Sequence, residues 1–305
     1  MCGIAGLYLK TPALGDRLGA ELSKMLTLLS DRGPDSAGVA LYRDPAPPGH
    51  VKLSLQVIDG TSPGADWAAI SDGLGEAVAG PVSFETCAGH AIFFVPGDAA
   101  TAQAWLSHHA PAVSVMGSGQ VIEIYKGVGT PREALDRFGI SGLAGSHGIG
   151  HTRMATESRV TTEGSHPFST GADLCLVHNG SLSNHNRLRR DLQREGIAFG
   201  TDCDSEVAAG YLTWRLREGA TLEQALEGCL ADLDGFFTFA VGTAEGFAVL
   251  RDPIACKPAV MAETDDWVAI ASEYRAIAAL EGAEDAETWE PEPGRVYSWG
   301  SALVA

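Results

Sequence analysis

Hydrophobic residues recur along the chain with two different spacings. Within residues 16–29 the apolar positions lie three or four residues apart, at Leu18, Leu22, Met25, Leu26 and Leu29. This spacing predicts an amphipathic helix with one face against a core. Residues 3–9 alternate loosely and predict a strand. Two later helices are predicted at 181–196, capped near Ser183, and at 204–219, beginning at Asp204.

Strands and helices alternate in the middle of the chain. Residues 91–116 predict a strand, a helix and a strand, with Asp98 placed to cap the helix. A strand at 120–129 and a helix at 130–139 follow. We interpret residues from about 62 to 142 as a small inserted α/β region. From residue 235 onward, short apolar runs spaced by roughly ten residues predict antiparallel strands.

The charge of the chain narrows the range of its partners. The 305 residues carry a formal net charge of −18 at pH 7. A negative charge of this size disfavours binding to nucleic acids and to anionic membranes. No apolar run approaches the ~20 residues that span a bilayer, and the N-terminal residues lack the pattern of a signal peptide. We therefore expect a cytoplasmic protein that binds neither membranes nor nucleic acids.

The cysteines and histidines give no pattern of metal ligands. The 6 cysteines are scattered, and none pairs in a C-x-x-C spacing, which disfavours zinc and iron–sulfur sites. His90 and the adjacent pair His108 and His109 have no accompanying carboxylate pattern, and neighbouring histidines point in different directions. We expect packing or surface roles for these histidines and no metal site in the chain.

Cys2 directly follows Met1 in the opening sequence MCGIAG. Removal of Met1 would leave a residue with both a thiol and a free α-amine, and the ordinary pKa of that amine is about 8, well below that of lysine. Such an amine can accept the thiol proton, so the cysteine would need no histidine partner to act as a nucleophile. The alternative from position alone is a trimmed, buried and inert cysteine.

Five further motifs follow MCGIAG in order. They are RGPDSAG (32–38), GHTRMAT (150–156), SHPF (165–168), HNGSLSN (178–184) and DSEV (204–207). The six motifs together resemble those of the class II glutamine amidotransferases, over residues 1–60 and 143–299. The resemblance implies the N-terminal nucleophile hydrolase fold, an α+β four-layer αββα sandwich of antiparallel sheets. One amidotransferase domain would then occupy residues 1–305, with the inserted region at about 62–142.

The resemblance assigns the catalytic chemistry to three residues. Cys2 would be the nucleophile. A side-chain N–H of Asn179 and the backbone N–H of Gly180 would form the oxyanion hole, where each donor is worth roughly 3–4 kcal/mol. An Asn-Gly pair by itself would indicate only a turn.

Four residues are implied in substrate binding. Arg153 would hold the α-carboxylate of glutamine, which a guanidinium fork suits. Asp204 would bind the α-ammonium, although an aspartate there also suits a helix N-cap, and Asp202 is near enough in sequence to compete. His166 would line the glutamine pocket, and Arg32 would lie near Cys2.

Three features bear on how closely the chain follows the family. Met154 stands where the family often has an aromatic residue, and residues 156–158 also differ, so we expect altered loop order and glutamine affinity rather than altered chemistry. The inserted region is interpreted as a docking surface. His151 is interpreted as a core or hydrogen-bonded strand residue.

The implied reaction is hydrolysis of glutamine to glutamate with release of ammonia. Larger family members carry an acceptor domain on the same chain, but this sequence has no phosphate-binding or dinucleotide-binding signature. We therefore expect the nitrogen acceptor on another polypeptide. The segment IGHTRMATES (149–158) and the inserted region most resemble those of stand-alone amidotransferase subunits of glutamate-synthase-like complexes. One such complex is N-methylglutamate synthase (methylamine–glutamate N-methyltransferase).

That similarity implies a hetero-oligomer with glutamate-synthase-like flavin-binding partner subunits. FMN and an iron–sulfur cluster are expected on the partners, and no cofactor is expected in this chain. The complex would form N-methylglutamate from methylamine and glutamate. Two alternatives stay open: a glutamine-dependent ammonia donor for another synthase, and a catalytically silent amidotransferase-like subunit kept for assembly.

Overall fold

A computed structural model describes residues 2–59, 65–155 and 160–300. The helices in these ranges are α1 (Leu18–Leu28), α2 (Trp67–Ala77), α3 (Ala99–His109), α4 (Pro131–Arg137), α5 (His185–Arg194), α6 (Asp204–Arg217), α7 (Leu222–Asp232) and α8 (Tyr274–Ile277). The strands of the first half are β1 (Gly3–Leu9), β2 (Ser36–Tyr42), β3 (His50–Val57), β4 (Ser83–Cys87), β5 (His90–Pro96), β6 (Val113–Gly119), β7 (Ile122–Val128) and β8 (His147–Arg153). Those of the second half are β9 (Phe168–Gly171), β10 (Leu174–Leu182), β11 (Gly235–Thr243), β12 (Gly246–Arg251), β13 (Val260–Glu263), β14 (Trp267–Ala271), β15 (Glu287–Trp289) and β16 (Val296–Gly300).

Two antiparallel sheets form the centre of the molecule. One has seven strands in the order β15-β13-β14-β1-β8-β2-β7, and the other has five in the order β16-β12-β11-β10-β9. They pack face to face through a buried apolar layer that includes Ile4, Ile149, Val177, Phe247 and Val249. Strands β1, β2, β8 and β10 are buried along most of their length because both of their faces are covered.

Helices cover the outer face of each sheet. Helix α1 lies on the seven-stranded sheet and buries Leu18, Leu22, Met25 and Leu26, the residues whose spacing predicted the helix. Helices α6 and α7 cover the five-stranded sheet, with Val207, Leu212 and Leu226 among the buried contacts. The predicted four-layer αββα sandwich is therefore confirmed. None of the helices in the described ranges has the length and apolar character to cross a membrane.

Two predicted helix starts have different outcomes. Asp98 caps α3 as predicted, since its Oδ1 accepts a hydrogen bond from the backbone N–H of Thr101 at 2.8 Å. The other cap was predicted near Ser183, and the N-cap position is the adjacent Asn184, which makes no side-chain cap hydrogen bond. Helix α5 begins at His185 after Asn184, and the Ser183 hydroxyl instead donates to the Asp234 carboxylate at 2.7 Å.

An additional four-stranded sheet, β4-β5-β3-β6, carries α2 and α3 on one face. It begins at β3, before the predicted limit of residue 62, which itself lies in the segment 60–64 outside the described residues. Strand β7 and helix α4, predicted within the inserted region, instead join the main sandwich, since β7 pairs with β2 from Ser36↔Val128 to Tyr42↔Ile122. The additional sheet thus spans residues 50–119 and is flanked by strands of the seven-stranded sheet.

A buried carboxylate joins the additional sheet to the main sandwich. Glu123 of β7 accepts Lys52 of β3 at 2.6 Å and Arg43 at 2.6 Å, and it also accepts the Tyr125 hydroxyl at 3.0 Å. Burial raises the pKa of Glu123, but the two cations outweigh burial and hold it below the ordinary value. Removal of one partner from such a buried group leaves an uncompensated charge, so the network fixes the two sheets relative to each other.

Candidate active site

The pairing of β1 with β8 brings Cys2 to the HTRM segment. Gly3 pairs with Thr152, so the residue before β1 lies beside the residues that follow β8. The Cys2 Sγ accepts the backbone N–H of Met154 at 3.4 Å and lies 3.8 Å from the Met154 carbonyl oxygen. Cys2 is half-buried. The sulfur is therefore held where β1 begins and β8 ends, against the backbone of Met154.

Arg32 holds the main chain of Cys2. Its Nε donates to the Cys2 carbonyl oxygen at 2.9 Å, and its guanidinium pairs with the Glu273 carboxylate at 2.7 Å. The hydrogen bond from Arg32 is the main reason why the pKa of Glu273 lies below its ordinary value. The expected position of Arg32 near Cys2 agrees with this geometry, while a direct contact with substrate stays a prediction.

The turn that carries Arg32 requires a glycine for close approach. A Cβ on Gly33 would lie 2.3 Å from the carbonyl carbon of Thr152 and 2.4 Å from its oxygen. The following Asp35 accepts the backbone N–H of Ala155 at 2.8 Å and donates its own N–H to the Arg153 carbonyl oxygen at 3.1 Å. The RGPD turn thus supports the chain on both sides of Met154.

Asn179 of β10 reaches across from the five-stranded sheet to Cys2. Its Nδ2 donates to the Cys2 carbonyl oxygen at 3.2 Å and to the Ser272 Oγ at 3.1 Å, and its side chain is buried. Its Oδ1 accepts from His151 Nε2 at 3.1 Å, which assigns the proton to that ring nitrogen. The predicted oxyanion donor is thus adjacent to the nucleophile. Both N–H groups of the Asn179 amide take part in these bonds, so one of them must also donate to the oxyanion when it forms.

Gly180 is exposed beside buried Asn179 and has a φ of +152°. A Cβ at this position would lie 2.0 Å from the Phe236 carbonyl oxygen and 2.5 Å from His178 Nε2. Steric contact and backbone conformation therefore both exclude other residues here. The Asn-Gly pair is part of β10, opposite Thr238 and Phe237 of β11, and not a free turn.

Three buried histidines, His151, His166 and His178, lie together next to Asn179. The rings of His151 and His166 stack with centroids 4.0 Å apart, and the His178 backbone N–H donates to His166 Nδ1 at 3.3 Å. Burial lowers the pKa of His151 to about 3 and lowers that of His166 well below its ordinary value. Both rings are therefore neutral at physiological pH. They orient neighbouring groups, and the interpretation of His151 as a hydrogen-bonded strand residue agrees with its contacts.

Asp204 is the first residue of α6, and Cys203 occupies the N-cap position without a side-chain cap. The Asp204 carboxylate accepts the Leu182 backbone N–H at 2.9 Å and the Ser205 hydroxyl at 3.3 Å. This contact joins the helix to the end of β10, near the HNG motif. The carboxylate is partly accessible, so it retains acceptor capacity for an ammonium group, and that role stays a prediction. Asp202 is exposed.

Arg153 ends β8, and its guanidinium lies against Gly164, where a Cβ would be 3.6 Å from the nearer nitrogen. Its predicted contact with the glutamine carboxylate stays a prediction. Met154 is exposed. Residues 156–158, whose sequence departs from the family, lie outside the described residues.

Sequence reasoning missed three residues that organise the site. Ser272 accepts from Asn179 and from the Ile4 backbone N–H at 2.9 Å, and Glu273 holds Arg32. Glu206 accepts the backbone N–H groups of Gly200 and Thr201, each at 2.8 Å, which orders the turn before Asp204. For Ser272 and Glu273 the available signal was a polar Ser-Glu pair directly after the buried strand β14.

The other histidines considered as metal ligands have packing contacts. His90 is buried edge-on against Phe138 at 4.5 Å, and His109 stacks on Trp105 at 4.7 Å. The described ranges hold no cluster of three His, Cys, Asp or Glu side chains suited to a metal ion.

Comparison with known proteins gives similarities along the whole chain. Residues 151–279 match the family model of a glutamine amidotransferase domain. The chain is 55% identical to the glutamine amidotransferase-like protein GlxB of Rhizobium meliloti, and the match covers 100% of both proteins. It is 33% identical to a putative glutamine amidotransferase of Methanothermobacter thermautotrophicus, over 97% of this chain and 99% of that protein.

A solved structure shares the fold. The glutamine phosphoribosylpyrophosphate amidotransferase from B. subtilis aligns with 98% of this chain at a TM-score of 0.61 and 20% sequence identity. This chain corresponds to 47% of the length of that protein. At 20% identity this structural similarity establishes the fold, whereas the relatives matched over their full length establish the family. The chain therefore belongs to the class II glutamine amidotransferases.

Proposed function

We propose that this amidotransferase supplies nitrogen from glutamine to a glutamate-synthase-like partner subunit, in a complex that forms N-methylglutamate from methylamine and glutamate. The main support for the glutamine hydrolysis step is that Arg32 and Asn179 both bind the main chain of Cys2. Both side chains donate to the Cys2 carbonyl oxygen, Arg32 at 2.9 Å from the turn between α1 and β2 and Asn179 at 3.2 Å from the five-stranded sheet. The nucleophile is thus fixed before substrate binds, as efficient attack requires.

The chemistry begins with transfer of the Cys2 thiol proton to the α-amine that removal of Met1 would expose. The thiolate attacks Cδ of glutamine, and the developing oxyanion is stabilised by Asn179 and the N–H of Gly180. The carbon–nitrogen bond breaks as the leaving group takes a proton, so ammonia departs and a glutamyl thioester remains. Water then hydrolyses the thioester to glutamate and regenerates the thiol.

The neutral histidines support this assignment of the base. His151 and His166 are buried and donate or accept within the protein, so neither is available to deprotonate Cys2. A base on Cys2 itself meets the requirement without a further side chain.

The placement of the acceptor on a partner rests on the organisation of the described residues. Beside the four layers, they form only the additional sheet of residues 50–119. FMN and an iron–sulfur cluster are proposed for the partner subunits, where they would supply redox chemistry. The additional sheet is the proposed docking element, since it lies outside the four layers.

Two measurements test the proposal. Isolated protein should release glutamate from glutamine, and Cys2→Ala should abolish release while the circular dichroism spectrum is unchanged. The chain should also copurify with coexpressed glutamate-synthase-like flavin-binding subunits. That complex should convert isotopically labelled methylamine to labelled N-methylglutamate.

The alternatives give different outcomes. Glutamine-dependent amination of another acceptor, without labelled N-methylglutamate, would identify an ammonia donor for a different synthase. Assembly without any Cys2-dependent glutamate release would identify a silent subunit.

A further inference from the structure

The carboxylates of Asp59 and Glu163 each accept hydrogen bonds across the gap between the segment after β3 and the segment before the SHPF motif. The Asp59 carboxylate accepts the backbone N–H of Thr162 at 2.7 Å and its hydroxyl at 3.0 Å. In return, the Glu163 carboxylate accepts the backbone N–H of Asp59 at 3.0 Å and the side-chain amide of Gln56 at 3.3 Å. We refer to these bonds as the Asp59–Glu163 clasp.

The clasp holds a compact turn at residues 161–165. Within the turn, the Gly164 N–H donates to Thr161 Oγ1 at 3.1 Å, and the Ser165 hydroxyl donates to the Thr161 carbonyl oxygen at 2.8 Å. From the other side, Lys126 of β7 donates to the carbonyl oxygens of Glu163 at 3.1 Å and Ser165 at 2.9 Å. Charge-assisted bonds therefore hold the turn from two directions.

This turn lies next to the predicted carboxylate clamp, Arg153. Gly164 lies against the Arg153 guanidinium, and the chain then enters His166, which is buried beneath Asn179. A displacement of the turn would therefore move the surface on which Arg153 rests. The nucleophile itself is held elsewhere, by Arg32 and Asn179, which both donate to the Cys2 carbonyl oxygen.

We propose that Asp59 is a positioning residue for glutamine binding, through which the additional sheet sets the place of Arg153. Asp59 does not touch the reacting atoms. It acts through the turn at 161–165, so its loss weakens ground-state binding of glutamine and leaves the chemistry at Cys2 largely intact. The inference rests only on the glutamine hydrolysis step of the proposed function, and not on the identity of the nitrogen acceptor.

Asp98, which follows β5 of the additional sheet, provides a matched control. Its carboxylate also accepts the backbone N–H of a threonine, Thr101, at 2.8 Å and the hydroxyl of that threonine at 3.0 Å. Both aspartates are exposed, but Asp98 caps α3, whereas Asp59 holds the turn beside Arg153. The variants Asp59→Ala and Asp98→Ala thus remove equivalent bonds at different places.

Steady-state glutaminase kinetics provide the test. Asp59→Ala should raise the KM for glutamine about tenfold with kcat within about twofold of the unmodified protein, the pattern of lost ground-state binding. Asp59→Asn, which keeps one acceptor oxygen, should restore most of the affinity. Asp98→Ala should leave both constants unchanged. Equal KM values for Asp59→Ala and Asp98→Ala, or a fall in kcat alone, would overturn the inference.

Labelling of Cys2 gives a second readout that needs no turnover. A diazoketone analogue of glutamine should alkylate Cys2 in Asp59→Ala with a higher half-saturating concentration, while iodoacetamide should alkylate it at the unchanged rate. Equal half-saturation in Asp59→Ala and Asp98→Ala would show that the clasp does not position the glutamine site.

Discussion

The side-chain amide of Asn179 donates a hydrogen bond to the carbonyl oxygen of Cys2 over 3.2 Å. Cys2 precedes a strand of the seven-stranded sheet, and Asn179 lies in a strand of the five-stranded sheet. The site is therefore built across the interface between the two sheets. Ser272 receives the other bond of the amide and also holds Ile4 in β1, so the nucleophile and the oxyanion donor have a common anchor.

Replacement of Asn179 should reduce turnover strongly and lower stability by about 1–3 kcal/mol, because its buried partners lose hydrogen bonds. Asn179→Ala removes an N–H donor to the oxyanion, and loss of one such donor lowers kcat by about 10²–10³-fold. Stopped glutaminase assays and thermal unfolding measure the two effects. Asn184→Ala is the control, because Asn184 lies in the same HNGSLSN motif but donates to the Asp232 carbonyl oxygen at 2.8 Å. Equal kcat values for the two variants would refute the assignment of Asn179.

The orientation of the Asn179 amide should depend on His151. His151→Phe keeps a ring against His166 but removes the N–H that fixes Asn179 Oδ1. We expect kcat to fall about tenfold, the cost of a misplaced donor, with the KM for glutamine nearly unchanged. His147→Phe removes a buried histidine whose contacts include Ser146, Thr243, Tyr42 and Tyr8. If both variants lose the same activity, His151 has only a packing role.

Much of the architecture follows from local patterns in the sequence. Helix α1 was predictable because its buried leucines recur at the helical period, and the cap at Asp98 has a local signal. The limits of the additional sheet were not predictable from local patterns. Strands β3 and β7 have similar apolar patterns, and what separates them is the distant strand with which each pairs. Pairing across many intervening residues leaves no local trace.

The residues of the candidate site also fall into those that local motifs predict and those that only long-range contacts identify. Cys2, Arg153, Asn179, Gly180 and Asp204 were proposed from motifs that concentrate several functional residues in a few positions. Ser272 and Glu273 were missed because their importance comes from contacts with Asn179 and Arg32, more than ninety positions away in sequence. A polar pair after a strand has many possible roles, and only the fold decides between them.

Activity should require a free amine on Cys2. Met1 lies outside the described residues, so this prediction rests on the chemistry of the nucleophile. Intact-protein mass spectrometry should show loss of Met1 from active protein. A tag fused before Cys2 that cannot be cleaved should abolish glutaminase activity, because an amide nitrogen cannot accept the thiol proton. The same tag at the other end of the chain is the control, and full activity of the N-terminally tagged protein would contradict the mechanism.

Gly180→Ala should destabilise the protein and abolish activity together. The new Cβ would meet the Phe236 carbonyl oxygen at 2.0 Å in a backbone conformation that alanine rarely adopts. Gly139→Ala is the matched control, since Gly139 also has a positive φ, of +59°, but has no atom within 4 Å of the built Cβ. We expect Gly139→Ala to cost about 1 kcal/mol, as for a strained φ alone. Urea unfolding should show a clearly larger loss for Gly180→Ala, and equal losses would contradict the steric argument.

Acidification should destabilise the fold through its buried histidines. Burial lowers the pKa of His147 to about 4 and that of His151 to about 3, whereas an unfolded histidine titrates near 6.5. The unfolded state therefore binds protons that the folded state does not. The stability due to each neutral ring is present above about pH 6.5 and is lost as the pH falls through the folded pKa, by about 1.4 kcal/mol per unit for each histidine.

His147 offers a specific test of this linkage because it lies away from the glutaminase residues. Its Nε2–H donates to the Thr243 carbonyl oxygen at 2.8 Å, and its ring stacks on Tyr42 with centroids 4.1 Å apart. Urea unfolding between pH 7.5 and 5 should give a free energy that falls with decreasing pH. His147→Gln should lower the stability at pH 7.5 and reduce the slope by about one proton, since glutamine does not titrate. An unchanged slope would mean that His147 already binds its proton in the folded protein.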